Sequence, residues 1–207
     1  MTVPSLPVGY DETKHVLAGR SDCHITVGFD QQRRRIPAFL VQFHYQIEAN
    51  PVRWIAIARM DHNETSTMGH DVYREGLHVD VARCSKETLH LQVPHVALPP
   101  SRGKVIRGCT GYLCDEADYF IGVYEERRSP GDPPQWSPDG GEPPHRFIPE
   151  NTVKRNMSQE SPVEDALTLE ELSEVLAEVE GTTPEEIERG ASELEIAPPE
   201  EAIIVEE

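Results

Sequence analysis

Apolar and polar residues alternate between residues 36 and 47, which is the period of a β-strand with one buried face. A turn signal at residues 48–51 separates this segment from a second one, residues 52–61, so the pair predicts a hairpin. Apolar residues occur on both sides of the second segment, which indicates a central strand. Three shorter segments predict two further strands beside each other and one edge strand: residues 77–83, 88–93 and 25–29.

A different spacing follows in residues 115–127, where apolar side chains recur every three or four positions. These positions are Ala117, Phe120, Ile121 and Tyr124. The segment predicts a helix that covers the apolar face of the sheet. The sequence therefore predicts an α+β fold, with an antiparallel sheet of four to five strands and one covering helix.

The distribution of charge divides the chain. It has 207 residues and a formal net charge of −18. Residues 1–128 hold 15 of the 19 basic residues and 16 of the 37 acidic residues, so the excess negative charge lies beyond them. Residues 129–149 contain seven prolines and three glycines, which is typical of a linker. We predict a sheet domain at 1–128, a linker at 129–157 and an acidic tail at 158–207.

The acidic tail contains one strong helix signal. Thr168 and Glu171 have the spacing of a capping box, apolar residues follow at helical spacing, and Gly181 is placed to end the helix. We predict a short amphipathic helix near residues 169–180 in an otherwise mostly disordered tail. Because an isolated helix cannot bury its own leucine stripe, this helix predicts a protein partner.

Several classes of protein are disfavoured. The chain has no run of about 18 apolar residues, and residues 1–9 lack the regions of a signal peptide, so we predict a soluble, cytoplasmic protein without membrane association. Four cysteines are too few for a disulfide framework, which leaves reduced thiols or metal ligation. The acidic excess argues against a general nucleic-acid binder, although Arg33, Arg34 and Arg35 form a local basic cluster.

Histidines and carboxylates concentrate on the predicted strands. Alternation places His44, His78 and His90 on the less apolar face, with Asp80 beside His78. Imidazoles act as acids, bases or metal ligands near neutral pH, and an arginine can hold an anion. The alternatives are a divalent metal bound by Asp and His, and a polar face that only contacts solvent. The candidate catalytic residues are Arg59, Asp61, His70, His78 and Asp80.

A second constellation has the spacing of a structural zinc site. It consists of two pairs of potential ligands, each pair with four residues between its members: His90 with His95, and Cys109 with Cys114. Pro94 can break the strand between the histidines, and glycines permit a tight turn between the cysteines. The alternative is that the thiols are buried and pack as small apolar side chains.

Three short segments carry a resemblance to a known family. Residues 58–63, 69–71 and 77–80 read Ala-Arg-Met-Asp-His-Asn, Gly-His-Asp and Leu-His-Val-Asp. Within residues 39–80 they resemble the arginine-x-aspartate-asparagine and histidine-rich core of TumE-like toxins, which belong to bacterial type II toxin–antitoxin pairs. Here His62 separates the aspartate from the asparagine.

The resemblance implies a toxin-like or regulatory protein that acts on RNA, in which a histidine serves as acid or base and Arg59 stabilises phosphate charge. The tail, as a tethered polyanion, would then compete with RNA for the basic residues of the sheet domain. The alternative is a non-catalytic interaction module whose tail helix binds a partner. The oligomeric state stays open, because an edge strand and a leucine stripe can each self-associate.

Overall fold

The computed structural model describes residues 3–66, 69–137 and 166–189, and its strands form one antiparallel sheet. The six strands lie in chain order, and each pairs with the next. Their bounds are β1 Glu12–Leu17, β2 Cys23–Phe29, β3 Ala38–Ala49, β4 Val52–Asn63, β5 His78–Val81 and β6 Leu89–Gln92. The predicted hairpin of the two long segments is confirmed as β3 and β4.

Helices cover one face of this sheet, which confirms the α+β class. Phe43 of β3 contacts Phe120 of α3, with ring centroids 6.4 Å apart. The apolar core lies between the sheet and the helices, and α4 packs on α2. No helix in the described ranges is long and apolar enough to cross a membrane. The helices are α1 Val72–Glu75, α2 Arg102–Asp115, α3 Ala117–Tyr124, α4 Leu169–Glu180 and α5 Pro184–Glu188.

The sheet has one more edge strand than the pattern predicts. β1 reads Glu-Thr-Lys-His-Val-Leu and fully buries Val16 but no other of its side chains, so its alternation is weak. The predicted edge strand at residues 25–29 is β2, which lies between β1 and β3. All seven residues of β2 are buried, as expected for an inner strand whose side chains are packed on both faces.

The helix predicted at residues 115–127 is directly preceded by another helix that the pattern does not predict. α3 occupies most of that segment, and α2 precedes it. The pattern misses α2 because it contains three glycines, each of which disfavours a helix by about 1 kcal/mol relative to alanine. Tertiary burial overrides this preference, since nine of the fourteen residues of α2 are buried. At Gly103 an added Cβ would lie 3.0 Å from Glu180 Oε2, so the glycine allows α4 to approach closely.

A bulge on β4 changes which of its side chains share a face. The register shifts between Phe43 and His44 of β3, and Ile57 is the extra residue on β4. Uninterrupted alternation puts Trp54 and Arg59 on opposite faces of the sheet. The bulge instead places both on the face that the helices leave uncovered.

The tail helix forms as predicted but already has its partner. α4 begins after a capping box at Thr168 and ends at Gly181, which adopts the left-handed conformation. Its stripe residues Leu172 and Leu176 are fully buried, because α4 packs on α2 and β1. The expectation that this stripe needs a separate protein is therefore corrected: the sheet domain covers it.

Part of the predicted linker also packs on the domain. Trp136 is 1% exposed, and its backbone N–H donates to the Pro94 carbonyl at 2.8 Å. Tyr112 donates to the Pro134 carbonyl at 3.0 Å. The remaining predicted linker and most of the predicted tail lie outside the described residues: 138–157, 158–165 and 190–207.

Candidate functional site

One row of directly paired residues crosses the uncovered face of the sheet from edge to edge. Each strand contributes one residue, and directly opposed residues on neighbouring antiparallel strands point to the same face. The first half of the row is neutral, whereas the second half contains a cation, an anion and a histidine. In strand order the row is His15, Thr26, Gln42, Arg59, Asp80 and His90.

At the charged end of this row three side chains form a hydrogen-bonded chain. Arg59 Nε donates to Asp80 Oδ2 at 2.8 Å. His90 Nδ1 donates to Asp80 Oδ1 at 2.7 Å. Burial alone would raise the pKa of Asp80, but the hydrogen bonds from His90 and Arg59 lower it below its ordinary value. Asp80 is therefore an anion at neutral pH, and it fixes the orientation of the His90 ring.

Two more histidines lie against His90. The His78 and His90 rings are stacked, with centroids 4.4 Å apart and an interplanar angle of 19°. His78 Nδ1 and His70 Nε2 lie 2.8 Å apart. His70 comes from the loop after β4, where its Nδ1 contacts Glu75 Oε2 and its Nε2 contacts the Gly76 carbonyl, each at 3.0 Å. These three histidines, His70, His78 and His90, are called the site cluster below.

The partners assign the protons on the three rings. His70 Nδ1 faces the Glu75 carboxylate and donates to it, whereas its Nε2 lies close to both the Gly76 carbonyl and His78 Nδ1. With a hydrogen on His70 Nε2, His78 Nδ1 accepts, and the proton of neutral His78 then lies on Nε2. His90 donates from Nδ1, which leaves a lone pair on its Nε2. The stacked rings of His78 and His90 thus offer one donor and one acceptor.

The electrostatics of His78 agree with this assignment. Burial lowers the pKa of His78, and the neighbouring rings of His70 and His90 lower it further. His78 is therefore neutral at neutral pH and can accept at Nδ1. The hydrogen bond from His70 also lowers the pKa of the Glu75 carboxyl, so Glu75 remains an acceptor.

The site cluster lines an open cavity of about 450 Å³. This volume falls within the usual range of small-molecule sites. The side chains of Arg59 and His90 are 53% and 63% exposed, whereas Asp80 is 20% exposed. The carboxylate that organises the site is thus more protected than the groups it holds. The lining residues are Tyr10, Arg59, Asp61, His62, Asn63, Ser66, Gly69, His70, His78, Asp80 and His90.

The structure brings all five candidate catalytic residues into this cavity. Alternation places Arg59 with Asp61 on β4 and His78 with Asp80 on β5, and the two strands are neighbours. His70 joins them from the loop. His90, which the sequence assigned to a zinc site, belongs to the same cavity because β6 pairs with β5.

Sequence reasoning missed Tyr10, which forms one wall of the cavity. Its ring lies on β2 at Gly28, where an added Cβ would be 2.8 Å from Tyr10 Cδ2. Burial raises the pKa of Tyr10, and the nearby carboxylates of Asp61 and Asp30 raise it further. A glycine inside an apolar strand signals a close approach, but no local pattern identifies the approaching residue.

His62 has a structural role under the loop that carries His70. It is 1% exposed, and its ring packs near Phe39 and Tyr73, with centroids 5.4 and 6.0 Å away. Its Nδ1 accepts from the backbone N–H of Val72 at 3.3 Å. Burial lowers the pKa of His62, so this histidine is a neutral core residue.

The structure does not bring together the four predicted zinc ligands, His90, His95, Cys109 and Cys114. The two cysteines lie on α2 instead of a tight turn, and burial raises the pKa of the Cys109 thiol, which packs in the core. His95 Nδ1 donates to the Val93 carbonyl at 2.9 Å. Among the residues that the structure describes, no group of three or more His, Cys, Asp or Glu side chains is arranged to hold a metal ion.

A second histidine group lies on the same sheet face. His15 Nδ1 and His24 Nε2 are 2.8 Å apart, and His44 Nε2 lies 2.9 Å from Thr26 Oγ1. His24 and His44 are 3% and 7% exposed. Burial lowers the pKa of each to about 4, with a smaller contribution from the neighbouring histidines. His15, His24 and His44 are called the buried cluster below.

The fold and the site define an α+β protein with a histidine cluster in an open cavity on the uncovered face of an antiparallel sheet. The chain belongs to the family described as Domain of unknown function (DUF7718), whose model matches residues 11–130. This match runs from β1 through α3 and contains the whole site cluster, whereas α4 and α5 lie beyond it. No curated protein and no solved structure matches the chain.

Proposed function

We propose that this chain cleaves RNA by general acid–base catalysis in the cavity of the site cluster. One observation carries the proposal: His78 and His90 are stacked, and their partners give them opposite hydrogen-bonding roles. Cleavage of a phosphodiester needs such a pair, because one proton leaves the nucleophile while another reaches the leaving group. The resemblance of residues 39–80 to TumE-like toxins supports the same substrate class.

In the proposed reaction His90 is the base. Its Nε2 removes the proton of the ribose 2′-hydroxyl, and the 2′-oxygen forms a bond to the adjacent phosphorus. Asp80 stabilises the resulting imidazolium through the hydrogen bond at Nδ1. The nucleophile belongs to the substrate, so RNA is cleaved and DNA is not.

His78 supplies the acid. As the bond between phosphorus and the 5′-oxygen breaks, His78 Nε2–H passes its proton to that oxygen, and His70 passes one of its protons to His78 Nδ1. The products are a 2′,3′-cyclic phosphate and a 5′-hydroxyl. One proton has moved to His90 and one has left His70, so protons are conserved. Since the reaction needs one group that gives a proton and another that takes one, we expect a bell-shaped pH profile.

Arg59 stabilises the negative charge on the phosphate. Its half-exposed guanidinium lines the cavity, and the hydrogen bond from its Nε to Asp80 fixes its position. Arginine suits phosphate because its donors match two oxygens at once. Asp61 and Asp80 line the same cavity, so phosphate binding relies on Arg59.

The test is cleavage of a labelled RNA oligonucleotide by the full chain, with the products separated by length and by their end groups. His90→Gln removes the base and is expected to lower the rate by on the order of 10²–10⁴. The matched control is His95→Gln, since His95 does not line this cavity and contacts a backbone carbonyl. This control is expected to keep the rate of the unsubstituted chain.

Two results would contradict the proposal. One is cleavage of the all-deoxy oligonucleotide at the same rate, because a DNA strand has no 2′-hydroxyl to act as the nucleophile. The other is equal activity of the His90→Gln and unsubstituted chains at matched folding, measured by circular dichroism. Growth and total RNA integrity after expression of the full chain and of His90→Gln give the corresponding comparison in cells.

A further inference from the structure

A short segment at the start of α2, residues 99–103, connects the loop of the site to the C-terminal helices. It runs from the loop after β6 into the first two residues of α2, and its Ser101 is the N-cap of α2, with the side chain accepting from Lys104 N–H. This junction segment is bound on one side by the loop that follows β4. On the other side it is bound by the last residue of α4.

The contacts to the loop come from two residues. Arg102 Nη2 donates to Glu64 Oε2 at 3.0 Å, and its guanidinium lies over the Tyr73 ring, 4.2 Å from the centroid. Tyr73 in turn donates to the Pro99 carbonyl at 2.8 Å. Glu64 and Tyr73 flank His70 in the chain, so the junction segment holds both sides of the loop that presents this histidine.

The contacts to the C-terminal helices centre on Glu180. One oxygen of its carboxylate accepts from the Ser101 hydroxyl at 2.5 Å, and the other accepts from the backbone N–H of Gly103 at 3.1 Å. A carboxylate is stabilised there because the first N–H groups of a helix have no partner within the helix. Farther along α2, Arg107 Nε donates to Ser173 Oγ at 3.0 Å.

The start of α4 is fixed as well. Leu167 forms a parallel bridge with Val16, in which the Leu17 N–H donates to the Leu167 carbonyl and the Leu167 N–H donates to the His15 carbonyl, each at 2.9 Å. The segment 166–189 is thus attached at β1, along α2 and at the junction segment. Leu172 and Ile187 of this segment are buried in the attached state.

We infer that segment 166–189 positions the site loop through Glu180 and Arg102, so that docking of the C-terminal helices promotes the active arrangement of His70. Docking of this segment would therefore raise activity, whereas a tethered polyanion that competes with RNA would lower it. The positioning residues Glu180 and Arg102 act through Glu64 and Tyr73 and do not touch substrate. The expected effect on catalysis rests on the proposed function, but the effect on the loop does not.

The test uses amide hydrogen exchange of the full chain. Glu180→Gln weakens the contacts to Ser101 and Gly103, and we expect exchange in residues 63–66 and 69–76 to rise by about tenfold, since hydrogen bonds to charged groups are among the stronger ones. The matched control is Glu178→Gln, because Glu178 lies on the exposed side of α4. The exchange rates of the amides in β2 and β3 show whether the stability of the whole domain has decreased.

A second variant approaches the junction from the loop side. Arg102→Gln removes the contact to Glu64, and we expect faster exchange in the loop with unchanged exchange in α4. The NMR signals of the His70 and His78 imidazole rings should shift in both variants and stay unchanged in Glu178→Gln. In RNA cleavage, kcat should fall more than KM rises, because the loop supplies the acid relay rather than the main phosphate contact.

The inference is overturned if Glu180→Gln loosens α4 while the loop amides and the histidine signals stay as they are. It is also overturned if β2 and β3 loosen as much as the loop, since Glu180 would then act on overall stability. Failure of the proposed function is distinguishable. In that case the loop responds as expected, but RNA is not cleaved by any form of the chain.

Discussion

The uncovered sheet face carries a histidine group at each side, and the surroundings of the two groups differ. In the site cluster His90 is 63% exposed and donates to a carboxylate. In the buried cluster His24 and His44 are 3% and 7% exposed, and their ring partners are a histidine and a threonine. Burial keeps His24 and His44 neutral at neutral pH, with pKa values of about 4.

The residues across the strands cause this difference. The row of paired residues has Thr26 and Gln42 next to the buried cluster, and Arg59 and Asp80 next to the site cluster. A neutral neighbour forms a hydrogen bond to a histidine ring but does not stabilise its charge. A carboxylate orients the ring and also stabilises its protonated form. Alternating histidines in a strand therefore acquire a chemical role only where the neighbouring strand supplies charge.

Among the changes that test this difference between the clusters, removal of that charge has the largest expected effect. Asp80→Asn keeps the shape of the side chain but replaces the anionic acceptor of His90 with an amide. The amide NH₂ can donate to His90 Nδ1 and so favour the wrong tautomer, with the proton on Nε2. We expect kcat for RNA cleavage to fall by on the order of 10², measured with the labelled oligonucleotide under single-turnover conditions.

The control for this prediction is a substitution in the buried cluster. His44→Gln should leave kcat unchanged and lower the free energy of unfolding by about 1 kcal/mol, because the hydrogen bond to Thr26 is altered in a buried place. A variant of Asp80 with full activity, or a variant of His44 with the same loss as Asp80→Asn, would show that the two clusters do not differ in role.

The features that the sequence predicts correctly depend on near neighbours in the chain. The β3–β4 hairpin follows from alternation and a turn, and the start of α4 follows from its capping box. Alternation places Arg59 with Asp61 on one face of β4, and His78 with Asp80 on one face of β5. The two pairs meet because β4 and β5 are adjacent. The features that it misses depend on distant contacts: α2 is stabilised by burial in spite of its glycines, and Tyr10 reaches the cavity across β2.

The zinc prediction meets the same limit, because tertiary structure keeps its four candidate ligands apart. Its spacing is compatible with a turn between Cys109 and Cys114, but tertiary burial makes this segment a helix and places Cys109 in the core. His90 has the correct alternation, yet only the pairing of β5 with β6 shows that Asp80 is its partner. Side-chain chemistry predicts which residues can act, whereas strand order decides which of them meet.

The second prediction concerns the stability of the buried cluster against acid. His24 and His44 have pKa values of about 4 in the folded protein and 6.5 as the ordinary value, so between these limits the unfolded chain binds more protons. The free energy of unfolding is therefore unaffected by these groups above about pH 6.5 and falls as the pH decreases towards 4. The loss is up to roughly 3 kcal/mol for each histidine. Urea unfolding at a series of pH values measures it.

Carboxylates also titrate in this range, so the informative quantity is the difference between variants. His44→Gln cannot be protonated, and its unfolding free energy should depend less steeply on pH than that of the unsubstituted chain between about pH 6.5 and 4. His95→Gln serves as the control, because His95 is partly exposed. Parallel curves for His44→Gln and the unsubstituted chain would mean that His44 is protonated equally in the folded and unfolded states.

The smallest effect is expected where the two clusters meet. Gly28 lies two residues from Thr26 on β2, and the Tyr10 ring rests on it and forms the cavity wall. In Gly28→Ala the new Cβ would lie 2.8 Å from Tyr10 Cδ2, so the ring must move. We expect kcat/KM for RNA to fall by about fivefold, the lower end of the loss when an aromatic contact to a base is removed. In a Tyr10→Ala background Gly28→Ala should cause no further loss, because no ring remains to be displaced. An equal loss in both backgrounds would instead mean that β2 itself supports the site, and the boundary between the two clusters would then lie within the strand and not at Tyr10.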